Sequence, residues 1–284
     1  MRTLLALFLF IGISFSAYCE QTQLTYAHVE QFFKTKTYVV LDDNPLSDYN
    51  RKVQASVKKN WRLTEFEFVS QEQFHAKRTD ENCSFLILSE VVFSGDKQVV
   101  KYDFFSLVLG GNYPNLLSMP VIAAVPLGYT GAPQETSAYK LGAMLKFLQA
   151  HVELLKSKPE LVDDNVFKYY NNNQKSIKDK TLYLIKEELA SNIDTKVEIA
   201  QYYPYKIKFV TREELEEAID NNEKDVVFLH KVGPEGTKRK ARCYKIILGT
   251  DSQLYYFDFH MISGKKPDGL LASDFKKLAK FENK

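Results

Sequence analysis

The residues best suited to chemistry in this 284-residue sequence are His230, Cys243, Asp258 and His260. Asp258 and His260 stand two apart in LYYFDFHM, so on a strand they share one face, while His230 ends a second apolar run, DVVFLH, that can pair in the same sheet. Imidazole, carboxylate and thiol together are the material of nucleophilic catalysis, which gives a hydrolase-type reading of this group. Against it, the sequence holds no Gly-flanked nucleophile, no HExxH and no CxxC. A strand histidine is more often a structural residue, and a site must be argued from converging groups rather than from one of them. His75 and His151 fall on helical stretches, at their margins.

Asp42 and Asp43 form a second candidate, at the end of the first apolar strand, where open α/β sheets commonly bind ligands and where paired carboxylates suit a hard cation. The run DDNP is also ordinary turn chemistry, because Asp and Asn side chains bond their own backbone. The turn is the expected role; neither a metal nor a cofactor is expected. Lys238, Arg239, Lys240 and Arg242 make a basic hairpin tip that suits an anionic partner, although such tips also serve as solvated guards of a sheet edge. Tyr202, Tyr203, Tyr205, Tyr255, Tyr256 and Phe257 are dense enough to present an aromatic contact surface if alternation turns some of them outward.

The elements that must position these residues occur twice. EFEFVSQEQF (65–74) and KIKFVTREEL (206–215) each alternate apolar and charged residues and then offer a hydroxyl followed three residues later by Gln or Glu. That is a strand entering a helix through a capping box, with Ser70 and Gln73 in one copy and Thr211 and Glu214 in the other. TYVVL (37–41) is matched by TLYLI (181–185), SFLIL by DVVFL, and LVLGG by IILGT, in the same order. Tyr49, Val53, Val57 and Trp61 recur every four residues behind Ser47, as one helical stripe. Leu141, Met144, Leu145, Leu148, Val152 and Leu155 follow helical spacing, and Ala143, Phe147 and Leu154 widen the apolar face, so this helix should be covered on two sides. Each unit reads β-α-β-α-β-β-β-α. The fold class is therefore α/β (α+β), as two tandem related domains, each a mixed sheet with packed helices. The first spans 20–158, a polar linker 159–180, and the second 181–284.

The layout of a YVVLD-type strand, an amphipathic helix, FxFVSxxxF, SFLIL and YDFFSLVL resembles the TolB amino-terminal domain, and through it CsgG and the lipoprotein activators of penicillin-binding proteins. The resemblance covers about 37–127 and, in weaker form, 181–262; it carries over no functional residue. It implies a non-catalytic domain that makes protein contacts at the cell envelope. TolB's propeller is missing, and the unit is present twice.

Arg2, the apolar run Leu4–Ile13 and the small residues Ser14, Ser16 and Ala17 have the layout of a secretory signal peptide over 1–19, with cleavage after Ser16 or, as the alternative, after Cys19. Lipid attachment at Cys19 is disfavoured because bulky Tyr18 precedes it. The run is too short to span a bilayer, which takes about 20 residues. With 38 basic and 36 acidic residues the net charge is +2, which is no nucleic-acid footprint. Cys83 and Cys243 fall at non-matching positions of the repeat, so the fold needs no disulfide framework. These features lead to an expected exported, periplasmic or secreted, non-enzymatic binding or scaffolding protein with an envelope protein partner. The alternatives are the hydrolase reading above and a small-ligand carrier using the groove between the domains.

Overall fold

The computed structural model describes residues 22–93, 96–162, 166–234 and 240–280. The expected signal peptide, Cys19 included, lies outside them, as do Lys238 and Arg239 of the basic tip.

The first unit runs β1 (Lys36–Val40), α2 (Asp48–Asn60), β2 (Phe66–Val69), α3 (Gln71–Lys77), β3 (Cys83–Val92), β4 (Lys101–Leu109), β5 (Val121–Tyr129) and α4 (Leu141–Ser157), after a short α1 (Tyr26–Phe32). The second runs β6 (Thr181–Leu184), α6 (Lys196–Ala200), β7 (Ile207–Phe209), α7 (Arg212–Asp220), β8 (Val226–Val232), β9 (Arg242–Gly249), β10 (Leu254–Met261) and α8 (Ala272–Ala279), with α5 (Val166–Asn171) between the units. The two five-stranded mixed sheets have one order, β2-β1-β3-β4-β5 and β7-β6-β8-β9-β10. In each, the first strand pairs in parallel with the second and third, and the rest is antiparallel.

Local chemistry sets these elements as the residue pattern requires. Ser70 and Thr211 each accept the N3 amide, while Gln73 and Glu214 take the cap residue's own N–H at 2.9 and 2.8 Å. Ser47 caps α2 by accepting from Asn50, and Tyr49, Val53, Val57 and Trp61 are all buried. The polar stretch 159–180 is not a bare linker. It folds as α5 and a tight helical turn at Gln174–Asp179, and it buries Tyr170 and Ile177. The aromatic residues in an otherwise polar stretch are what anchor it.

Helix α4 carries the packing of both units. Ten of its residues, from Leu141 to Leu155, are buried, and Leu141, Ala143, Met144, Leu145, Phe147, Leu148 and Val152 share one core with Val39, Phe105 and Val125 of the first sheet and Phe228, Ile246 and Leu248 of the second. On the first unit's side, Gln149 accepts the Arg62 amide at 2.8 Å and donates to Asn60 O at 3.1 Å, closing the end of α2. On the other side Lys146 Nζ donates to Ile219 O at 2.9 Å and to Asn222 Oδ1 at 2.6 Å, placing a cation at the negative end of the α7 dipole. Lys52 of α2 pairs with Glu216 of α7. The face of the first unit covered by α2 and α4 thus docks on the α7 face of the second, while α6 and α8 cover the second sheet's far side with Ile199, Tyr203, Phe275 and Leu278.

A fully buried lysine forms an ion pair at this junction. Lys140, fully buried just before α4, donates to Glu188 and, at 2.9 Å, to Leu229 O of β8. Burial opposes both charges, lowering the Lys140 pKa and raising that of Glu188, and each partner's charge offsets the other's penalty. Lys140→Met, which strands Glu188, should therefore destabilise the protein by roughly 3–5 kcal/mol in urea unfolding at neutral pH. The double variant with Glu188→Met should recover most of that loss. A single variant costing under about 1 kcal/mol would show that the pair does not hold the units together.

Candidate functional site

Where the inner face of the second sheet passes β5, the edge strand of the first, the two units do not close completely. They leave a cavity of about 390 Å³, within the span of roughly 300–1,000 Å³ usual for small-molecule sites. Its walls are Phe104 of β4; Ala123, Ala124, Val125 and Pro126 of β5; Phe147 and His151 of α4; Val166, Phe167 and Tyr170 of α5; Tyr244, Ile246 and Leu248 of β9; and Leu254, Phe257 and Phe259 of β10. Phe93 and Arg242 complete it. Strand alternation puts Arg242, Tyr244, Ile246 and Leu248 on one face of β9, and pairing in register brings Phe257 beside Ile246 and Phe259 beside Tyr244. Phe167 of α5 stacks on Phe257 with centroids 4.5 Å apart, so the connecting segment forms one wall.

The polar groups are few. His151 Nδ1 lies 2.9 Å from the Tyr170 hydroxyl, and the two rings stack. The imidazole keeps some exposure, yet the surrounding rings remove most of its water, pushing its pKa down to about 4 and leaving it neutral at neutral pH. Arg242 forks onto Asp96 of the β3–β4 connection, Nε to Oδ2 at 2.9 Å and the second nitrogen to Oδ1 at 3.0 Å, and its guanidinium lies 3.7 Å over Phe93 and 4.9 Å from Phe259. The hydrogen bond to Asp96 is the main reason the Arg242 pKa is raised. Tyr102 of β4 fixes the same strand across the junction, its hydroxyl accepting from Arg242 N at 2.6 Å and donating to Arg242 O at 3.2 Å. The buried Tyr244 hydroxyl has no hydrogen bond of good geometry, though the Arg242 charge is close enough to counter the rise in pKa that burial imposes.

The residues expected to form a hydrolase site do not converge. His230 pairs in register with Ile246 and so faces the first unit, where Nε2 donates to Pro126 O at 2.8 Å. Asp258, His260 and Cys243 lie on the opposite face, since Asp258 pairs with Lys245 and His260 with Cys243. There His260 Nε2 donates to Pro267 O at 2.8 Å, Asp258 is held by Tyr256, Lys277 and Lys245, and Cys243 sits against Gly269. Burial pushes the Cys243 thiol up to about 12, the reverse of an activated nucleophile. Held by separate partners on two faces of a sheet, these four groups share no reacting centre.

The other candidates also resolve into local structure. Asp42 Oδ1 accepts from Asn44 N at 2.8 Å, and Asn50 closes the turn by accepting from Asp42 N and donating to Asp42 O and Asn44 O. No group of three or more metal-ligating side chains occurs among the described residues. Arg242 is not part of a free basic tip, because Asp96 occupies it; Lys240 is exposed. Tyr203, Tyr255 and Tyr256 are buried, and Tyr202, Tyr205 and Phe257 half-buried, so the expected outward aromatic cluster is a packing cluster.

Fold and site together define a two-unit α/β protein with an aromatic-walled cavity at its junction. Comparisons with protein-family models, with curated proteins and with solved structures each return no match.

His230 gives the junction a pH dependence. Burial, then the charges of Lys140 and Lys231, push its pKa from 6.5 down to about 3, with the bond to Pro126 O opposing them. Below pH 6.5 the unfolded chain takes up a proton that the folded chain refuses, so stability falls as pH drops from 6.5 toward about 3. This residue should contribute roughly 1.4 kcal/mol per pH unit of that loss. In urea unfolding from pH 7 to 4, His230→Gln should show a slope shallower by this amount; equal slopes would contradict the assignment.

Proposed function

We propose that the chain is an exported, non-catalytic binding protein of the cell envelope that carries a small, largely apolar molecule in the cavity between its two units. The observation that carries this reading is the cavity itself: about 390 Å³, walled by rings and aliphatic side chains from both sheets and from α5, with few polar groups. Native cores are packed to crystal-like density with few voids larger than a water, so an apolar space of this size at a junction suits an occupant better than it suits stability. The dispersal of His230, Cys243, Asp258 and His260 supports a binding role over a hydrolytic one. Export rests on the layout of residues 1–19, and the envelope setting on the likeness in layout to the TolB amino-terminal domain and its relatives. No helix among the described residues is long and apolar enough to cross a membrane.

N-phenylnaphthylamine, an uncharged probe that fluoresces in apolar surroundings, should bind saturably at one site. At a hundred times its dissociation constant it should stabilise the fold by about 2.7 kcal/mol. Ala124 is exposed on the β5 edge and faces the cavity, so Ala124→Trp should fill the space without breaking the core and should abolish the signal. Saturable binding undiminished in Ala124→Trp would place the probe elsewhere and defeat the reading. For the export claim, the mature chain recovered from the envelope fraction should begin at Ala17 or Glu20; an intact Met1 would refute it.

A further inference from the structure

We infer that the cavity selects an uncharged ligand, and that the Asp96–Arg242 pair at its wall is what sets this preference. The inference rests on the ligand-carrying role proposed above and names the chemistry of that ligand.

Among the described residues lining the cavity, Arg242 carries the only fixed charge. A lone guanidinium beside aromatic walls would be a ready site for a carboxylate, sulfate or phosphate, because it offers a planar fork of donors in a place where water is scarce. Here one edge of the fork is held by Asp96, whose carboxylate offsets the charge. Both of its bonds to Asp96 are at hydrogen-bond length, and the pair is largely withdrawn from solvent, with side chains 19% and 9% exposed. Phe93 and Phe259 hold the guanidinium plane against their rings, so it is fixed in the orientation that serves Asp96.

The other titratable groups on the walls are neutral at neutral pH. Burial holds the His151 imidazole unprotonated, and it keeps the Tyr170 and Tyr244 hydroxyls protonated. An anionic ligand would leave water for apolar walls with the Arg242 charge already taken by Asp96. A cation would meet ring faces, but also a guanidinium of its own sign. Transfer of an unpaired charge into such surroundings is costly, whereas an uncharged ring-bearing molecule loses little on entry. Asp96 belongs to the first unit and Arg242 to the second, so the docking of the units neutralises the cavity, and neither unit does so alone.

The test uses two probes of one skeleton on the full mature chain: neutral N-phenylnaphthylamine and the anionic anilinonaphthalene sulfonate. The wild type should bind the neutral probe at least about tenfold more tightly. Asp96→Asn removes the counter-charge and keeps the side chain's shape. It should raise sulfonate affinity about tenfold, with a gain that fades as salt is added, and leave the neutral probe within about twofold. Retained neutral-probe binding reports that the cavity is intact. Arg242→Gln is the mirror variant and serves if Asp96→Asn does not fold: it should give no gain for the sulfonate and tighter binding of a cationic dansyl amine. Wild-type protein that binds sulfonate as tightly as the neutral probe, or an Asp96→Asn variant that shifts both probes alike, would overturn the inference while leaving the carrier role standing. If the wild type binds neither probe, the carrier role itself fails, and this inference with it.

Discussion

Helix α4 is apolar on more than one side, and that single constraint organises the molecule. A helix with one apolar stripe can rest on one sheet, but the buried run from Leu141 to Leu155 needs cover from two directions. The first sheet supplies one side, and α7 with the inner face of the second sheet supplies the other. At about 1.5–3 kcal/mol for each large apolar side chain moved out of water, separating the units would expose more than a marginally stable domain can lose. The polar residues of this region serve the same end. Gln149 and Lys146 satisfy the exposed ends of α2 and α7, and Lys140 with Glu188 makes a charged contact that only the docked arrangement can compensate.

The cavity follows from how that docking is done. The two units share one strand order and one capping chemistry, yet they meet through different faces: the α2 and α4 side of the first against the α7 side of the second. The early turns of α4 lie close to α7, with Gly142 opposite Ile219 and Lys146 bonded to its carbonyl, whereas Phe147 and His151 further along face open space. At the same junction the β5 edge is covered in part, where His230 takes the carbonyl of Pro126, a residue suited to an edge strand because it needs no donor partner there. The second sheet therefore covers part of the first one's edge and borders the cavity beside it.

Much of the fold was legible in the residues. Ser70 with Gln73 and Thr211 with Glu214 marked two strand-to-helix corners, the stripe from Tyr49 to Trp61 marked a buried helix face, and the order of apolar runs marked a repeated unit, all of which the structure contains. The site was not legible in the same way. Phe167 and Tyr170 are aromatic residues in a polar stretch, and His151 a histidine on a helical one, but nothing in their spacing joins them to Tyr244 or Phe257. Conversely, His230, Asp258 and His260 looked like a group because they share neighbouring strands. A period of two cannot say which face of one strand matches which face of the next, and the β8–β9 and β9–β10 registers together put His230 on one side and the other two on the reverse.

The sequence by itself determined what depends on near neighbours along the chain: caps, periodicities, hairpins, and the excess of apolar surface on α4 that obliges two units to dock. Only the tertiary structure decided what depends on register and on segments far apart meeting. It placed Asp96 against Arg242 across 146 positions, which took Arg242 out of the expected basic tip and made it part of a charge-paired wall, and it gathered residues from β4, β5, α4, α5, β9 and β10 around one space. The physical reason is that local pattern fixes how much surface a segment must bury, while the choice of partner is settled by shape and charge on faces that form only once the segments have folded.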